Sequence, residues 1–337
     1  MHVAIPDWSI LRLVMPEIWL IIAMCVVLLV PFVRRRDIAL PTAVTIIGVF
    51  AALFASAQTL VGLEGASILG GMLVIDPFSQ VFKFLLAVFT ILVVIQWLIA
   101  GRERTSELDV PDMMCLILGA AAGMALMASA SNLLMIFIAV ETASLPSYAL
   151  AGFRKRHGLS SEGSLKYVIF GSAASAIMLY GMSLIYVSAG SLALSDVAAT
   201  AVTGISPLMA VGLMGLLGGI AFKLSAVPMH FWCPDVFEGA PTEVTTFLSV
   251  ASKGAAVCLL VRVLHSFQAT GATFAGIMVA VGILGAVTAT WGNLVALHQT
   301  KIKRLLAYSS IAHAGYMIMA TSVILGVRGA DGPLSVD

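Results

Sequence analysis

Residues 219–241 read GIAFKLSAVPMHFWCPDVFEGAP, directly after the oily run SPLMAVGLMGLLG. A charge placed in hydrocarbon costs several kcal/mol, about 2.5–3.5 on insertion scales. Lys223 is therefore either in use or a liability. Five residues on, Pro228 removes a backbone donor and collides with the preceding turn, so a helix running through Lys223 kinks or breaks there. Broken helices at membrane depth persist only where they are buried in protein or line a water-filled cavity. A desolvated lysine also shifts its protonation more readily than one in water. Lysine, proline and adjacent water together describe a proton-relay site; the plain alternative is a structural charge.

The rest of the chain agrees with a membrane setting. Of its 337 residues, 60% are apolar and 10% charged, and the mean hydropathy is +1.06. A soluble domain carries about 25% charged residues, so the expected fold is an all-α polytopic membrane protein. The net charge of +1 gives no basic or acidic tail and no sign of nucleic-acid binding. Cys25, Cys115, Cys233 and Cys258 are scattered with no CxxC pair, which suggests neither a metal site nor a disulfide framework. A GxGxxG loop and a haem-attachment motif are both missing, so any redox-linked electrons travel in another chain.

About twenty apolar residues span the hydrocarbon core. Ten such segments are expected, at 16–33, 39–61, 77–100, 111–130, 132–153, 164–189, 206–230, 242–264, 272–296 and 304–325. The first is not a signal peptide, because its basic residues Arg34, Arg35 and Arg36 follow the apolar core instead of preceding it. With the N-terminus outside, these arginines, Arg102 and Arg104, Arg154–Arg156, and Lys301, Lys303 and Arg304 all fall on the cytoplasmic side. Arg12, Arg262 and Arg328 are the exceptions. The positive-inside rule supports this orientation.

Four lysines then lie within expected helices: Lys83, Lys166, Lys223 and Lys253, with Glu141 the one acidic residue deep in a span. Intramembrane carboxylates mark ion or proton paths; the plain reading of Glu141 is a carboxyl hydrogen-bonded to Thr142 or Ser144. Lys253, followed by small residues that let helices approach closely, is either a relay or one half of an interhelical ion pair. Lys166 sits near a helix start, where it either relays protons or snorkels to the cytoplasmic face. Lys83 follows Asp76 by seven residues and is expected to pair with it on one helical face. His230 either passes protons between Lys223 and Lys253 or is an interfacial histidine beside Trp232. His313 is either hydrogen-bonded structure or part of a later relay.

Four stretches occur in an order typical of one family: LLMIFIAVETASLPSYALAGF, EGSLKYVIFGSAASAIMLYG, FKLSAVPMHFWCPDVFEGAPTEVTTFLSVASKGAA and KIKRLLAYSSIAHAGYM. The chain resembles the antiporter-like membrane subunits of respiratory complex I, the proton-pumping NADH:quinone oxidoreductase. The PDVFEGAPTEVTTFLS stretch most resembles the N type. The resemblance implies two inverted five-helix repeats, each with a broken helix, and about fourteen helices in all. It matches Glu141, Lys223 and Lys253 to the family's fifth-, seventh- and eighth-helix charges. An N-terminal three-helix segment (1–110), a first repeat (111–265) and an incomplete second repeat (266–337) are expected, as in a C-terminally shortened piece. The resemblance further implies a bacterial inner-membrane location and other complex I membrane subunits as partners. NADH, FMN, iron–sulfur clusters and quinone would reside in partner chains and none here. A subunit of a multi-chain sodium/proton antiporter, or a structural membrane subunit without its own proton path, is the alternative.

Overall fold

In the computed structural model the chain is described over residues 8–34, 36–60 and 65–330. Arg35 and the side chains of Arg104 and Arg328 lie outside the described residues. Among the described residues, ten helices are long and apolar enough to cross a membrane. They are α1 Met15–Val33, α2 Ala39–Leu60, α3 Pro77–Gly101, α4 Val110–Ser129, α5 Leu133–Ala151, α6 Gly158–Ala189, α7 Pro207–Leu224, α8 Thr242–Ser266, α9 Thr273–Ala296 and α10 Ile302–Val327. Helices are the expected solution, because in lipid each backbone N–H and C=O must find its partner within the segment.

Polar residues at the helix ends set the boundaries. Asp76 caps α3 in a reciprocal capping box with Ser79, Asn132 caps α5, and Ser206 caps α7 just ahead of Pro207. The sixth helix starts at Gly158, earlier than the hydropathy edge near 164. Its polar first turn is anchored to the preceding helix by Ser160 Oγ donating to Ala151 O at 2.9 Å. Among the short elements that escape the hydropathy reading are a hairpin of β1 Ala66–Ile68 and β2 Leu73–Ile75 between α2 and α3, and a helix Leu194–Val202 between α6 and α7. Both are too short to register as spans.

α4 is the most enclosed span and packs against α1, α2, α3, α5 and α8. Small residues bring several pairs together. A Cβ on Gly181 of α6 would lie 2.6 Å from Gly212 O of α7, and one on Gly292 of α9 would lie 2.7 Å from Ala312 N of α10. Only glycine permits approaches this close. The outward faces of the helices carry large apolar side chains such as Leu29, Ile47, Phe54 and Ile283, as a lipid-facing surface requires.

One expected pair is replaced by two others. Lys83 does not pair with Asp76. Seven residues of helix separate them by about 10 Å of rise, beyond the reach of an i, i+4 contact. Asp76 instead caps its own helix and accepts two hydrogen bonds from Arg262 Nη2, at 2.9 and 3.1 Å. Lys83 Nζ lies 2.6 Å from Oε1 of Glu17 in the first turn of α1, with side-chain exposures of 1% and 4%. Glu17 is thus a buried acidic residue, as is Glu243 at 5% exposure; the place of Glu17 at the edge of the first apolar run hid it.

Candidate functional site

The seventh helix does break. α7 ends at Leu224, short of the expected 230, and the chain turns through Ser225 in the left-handed region (φ 56°). Ala226 N donates to Ala221 O at 2.8 Å, closing the helix end. The chain re-forms a short helix at Trp232–Gly239. Proline's missing donor and its restriction of the residue before it explain why helix cannot run through 227–228. The two halves are held together by Trp232 Nε1 donating to Phe222 O at 3.1 Å, with the Trp232 ring stacked on Tyr167 at 4.1 Å between centroids.

Lys223 sits in the last turn before this break and is 2% exposed. Its Nζ has no hydrogen-bond partner among the described residues. No ion pair joins it to Glu141 of α5 among the described residues. Glu141 is half-buried and accepts from Ser175 Oγ of α6, so the sequence-based partners Thr142 and Ser144 are replaced by a residue of the next helix. Ser144 Oγ donates instead to Val140 O at 2.6 Å. Among the described residues Glu141 and Lys223 make no direct hydrogen bond.

Lys253 lies in α8 just after a widened turn at Leu248–Ser252; such π-bulges recur at functional sites. It is 1% exposed, donates to Ser310 Oγ of α10 at 2.6 Å, and lies 5.9 Å from the Phe237 ring centre. Among the described residues Lys253 makes no ion pair. His230, at the end of the break, is buried and accepts at Nε2 from Trp291 Nε1 of α9 at 3.0 Å. It hydrogen-bonds to neither Lys223 nor Lys253. His313 lies on an exposed face of α10, its ring 6.0 Å from that of Tyr316.

Lys166 belongs to a separate ionic cluster on the side of the basic loops. Its Nζ lies 2.7 Å from both Glu162 Oε1 and Asp235 Oδ2. Arg304 bridges Asp235 (2.7 Å) and Glu238 (3.0 Å), and Lys301 pairs with Glu238 at 2.5 Å. This network joins α6 and the Trp232–Gly239 helix to the start of α10. Burial pushes the Asp235 carboxyl up, but the hydrogen bonds and charges of Lys166 and Arg304 outweigh it and hold the group below the usual carboxylate range. Glu238 is held low chiefly by Lys301, with Arg304 adding to this against partial burial.

Lys223, in the last turn before the break, and Lys253, beside Phe237 of the short helix that follows it, are thus both buried. The sequence reading missed Ser175, Ser310, Thr288 and Trp291, which bond Glu141, Lys253, the Val227 amide and His230 in turn. Single polar residues in apolar helices leave no periodic signal, and Asp235 and Glu238 were read only as part of the PDVFEG stretch. Among the described residues no group of three His, Cys, Asp or Glu side chains is placed to hold a metal ion.

Residues 130–332 match a protein-family model described as "NADH:quinone oxidoreductase/Mrp antiporter, TM". The chain belongs to that family. The match contains Glu141, Lys166, Lys223, His230 and Lys253; Glu17 and Lys83 lie before it. Among curated relatives, NADH-quinone oxidoreductase subunit N of Rubrobacter xylanophilus is 40% identical over 90% of this chain and 62% of the relative. The subunit N of an Anaeromyxobacter species is 41% identical over 92% of this chain and 63% of its own length. The chain therefore spans a little under two thirds of the length of these relatives. Among solved structures, the family fold superposes on a chain of respiratory complex I from Thermus thermophilus with a TM-score of 0.75 at 34% identity, covering 94% of this chain and 70% of that one. An archaeal membrane-bound sulfane sulfur reductase gives a TM-score of 0.83 at 24% identity, covering 94% and 67%; this likeness concerns the fold alone.

Proposed function

We propose that this chain is an N-type membrane subunit of a proton-translocating NADH:quinone oxidoreductase and moves protons through Glu141, Lys223 and Lys253. The observation that carries the reading is Lys223, a buried amine without a hydrogen-bond partner among the described residues, set at the break of α7. A lysine in that position has two accessible charge states, and a nearby carboxylate favours the charged one. Movement of the Glu141 charge then decides whether Lys223 keeps or releases its proton. Lys253, oriented by Ser310, is the next amine along the path.

His230 and Lys166 flank this route. His230 borders the break, and Lys166 with Asp235 forms a charged mouth at the basic-loop side. The three-part organisation (1–110, 111–265, 266–337) puts Glu141, Lys223 and Lys253 in one repeat. With that side cytoplasmic and the N-terminus outside, protons enter past Lys166 from the cytoplasm of a bacterial inner membrane. NADH, FMN, iron–sulfur clusters and quinone belong to partner subunits, and other antiporter-like subunits lie alongside. The relatives' names favour this reading over sodium/proton antiport, which the family description also covers.

The test is Lys223→Ala in the assembled complex, reconstituted in vesicles, with NADH oxidation and proton uptake followed together. The expected result is fewer protons moved per NADH. Unchanged proton movement at unchanged NADH oxidation would leave only a structural role.

A further inference from the structure

The break in α7 is held from outside its own repeat. Two polar groups of the segment around Pro228, the Val227 backbone N–H and the His230 imidazole, bond to α9. Val227 N donates to Thr288 Oγ1 at 3.1 Å, and Trp291 Nε1 donates to His230 Nε2 at 3.0 Å. Thr288 and Trp291 are three residues apart and share one helical face. Thr288 is fully buried, and its hydroxyl hydrogen is already given to Leu284 O at 2.7 Å. Its oxygen is thereby oriented to accept from the break. α9 in turn is pressed onto α10 through Gly292, and α10 supplies Ser310 to Lys253.

From this geometry we infer that Thr288 and Trp291 are positioning residues of the proton path, clamping the unwound segment that follows Lys223. The inference rests on the proton-relay reading of Lys223 given above. The clamp has a chemical direction. An indole N–H only donates, so the bond to Trp291 requires His230 Nε2 to be an acceptor and fixes which ring nitrogen carries the proton. A proton reaching Nε2 must first displace Trp291, which frees one end of the break from α9. Thr288 holds the other end whatever the state of the ring. The α9–α10 hairpin therefore contributes three side chains, Thr288, Trp291 and Ser310, to the surroundings of two lysines that lie on α7 and α8.

The test uses the assembled complex in vesicles with Thr288→Val, Thr288→Ser, Trp291→Phe and, as reference, Lys223→Ala. Valine keeps the shape of threonine and removes the acceptor; serine keeps the acceptor. The expected result is a proton-to-NADH ratio lowered toward that of Lys223→Ala by Thr288→Val and by Trp291→Phe, and restored by Thr288→Ser. Hydrogen exchange at the Val227 amide should rise about tenfold in Thr288→Val, the worth of one hydrogen bond, and stay unchanged in Thr288→Ser. A wild-type ratio in both Thr288→Val and Trp291→Phe, while Lys223→Ala loses pumping, overturns the clamp alone. A wild-type ratio in Lys223→Ala overturns the proton-relay reading itself. If Thr288→Val does not assemble, Trp291→Phe decides: a lowered ratio supports the clamp and a wild-type ratio overturns it.

Discussion

The Glu17–Lys83 pair gives the sharpest energetic prediction. Nζ and Oε1 lie 2.6 Å apart, and the two side chains are 1% and 4% exposed. An ion pair this deep gains little net stability from its own attraction, because both groups have lost their hydration. Removing one partner is a different matter, since it strands a buried charge. Lys83→Met or Glu17→Leu alone should each destabilise the protein by about 3–5 kcal/mol. Removing both restores neutrality, so Glu17→Leu/Lys83→Met should cost far less than the sum of the singles. The expected coupling in the double-mutant cycle is then at least about 3 kcal/mol. Unfolding midpoints and free energies of the four proteins in detergent or bicelles, titrated with a denaturing surfactant, supply the cycle. Single-variant losses that add to within about 0.5 kcal/mol in the double would refute the reasoning. So would a harmless Glu17→Gln, because it would mean the carboxyl carries no charge.

Three further outcomes follow from the packing and charges. Gly181→Val in α6 should destabilise by about 1–3 kcal/mol from overpacking, since its Cβ would meet Gly212 O at 2.6 Å; Gly218→Ala, with nothing within 4 Å of the added carbon, should be neutral or stabilising in the same thermal assay. Asp235 and Glu238 have folded-state pKa values below their unfolded ones. Their contribution is therefore fully present above the unfolded carboxylate range of about 4 and is lost as pH falls through the lowered values. Thermal midpoints taken from pH 7 to 3 should fall more steeply in the native chain than in Asp235→Asn, and parallel curves would contradict the ionic link. Ser310→Ala removes the hydrogen-bond partner of Lys253 and should destabilise by about 1.5–3 kcal/mol, whereas Ser310→Thr, which keeps a hydroxyl, should not; equal midpoints for the two variants would disprove that bond.

The ten spans were legible from hydropathy alone, because the cost of an unsatisfied backbone in lipid leaves an apolar run of about twenty residues few other structures. The break near Pro228 was equally legible, since a proline disrupts its own helix whatever surrounds it. Charge placement singled out Lys223, Lys253 and Glu141 for the same local reason: ionisable residues are rare at membrane depth. Partnership was not legible. Asp76 and Arg262 stand 186 residues apart, and Lys253 and Ser310 57 apart, so their meeting depends on how the helices rotate and slide against one another. Sequence proximity even misled, pairing Lys83 with Asp76 on one helix when Glu17 of α1 was the true neighbour. The amino-acid sequence by itself determined that this chain crosses a membrane, where it breaks and which charges it carries inside. Only the tertiary structure decided what each charge faces, because interhelical contacts are set by packing among spans whose apolar faces look alike in sequence.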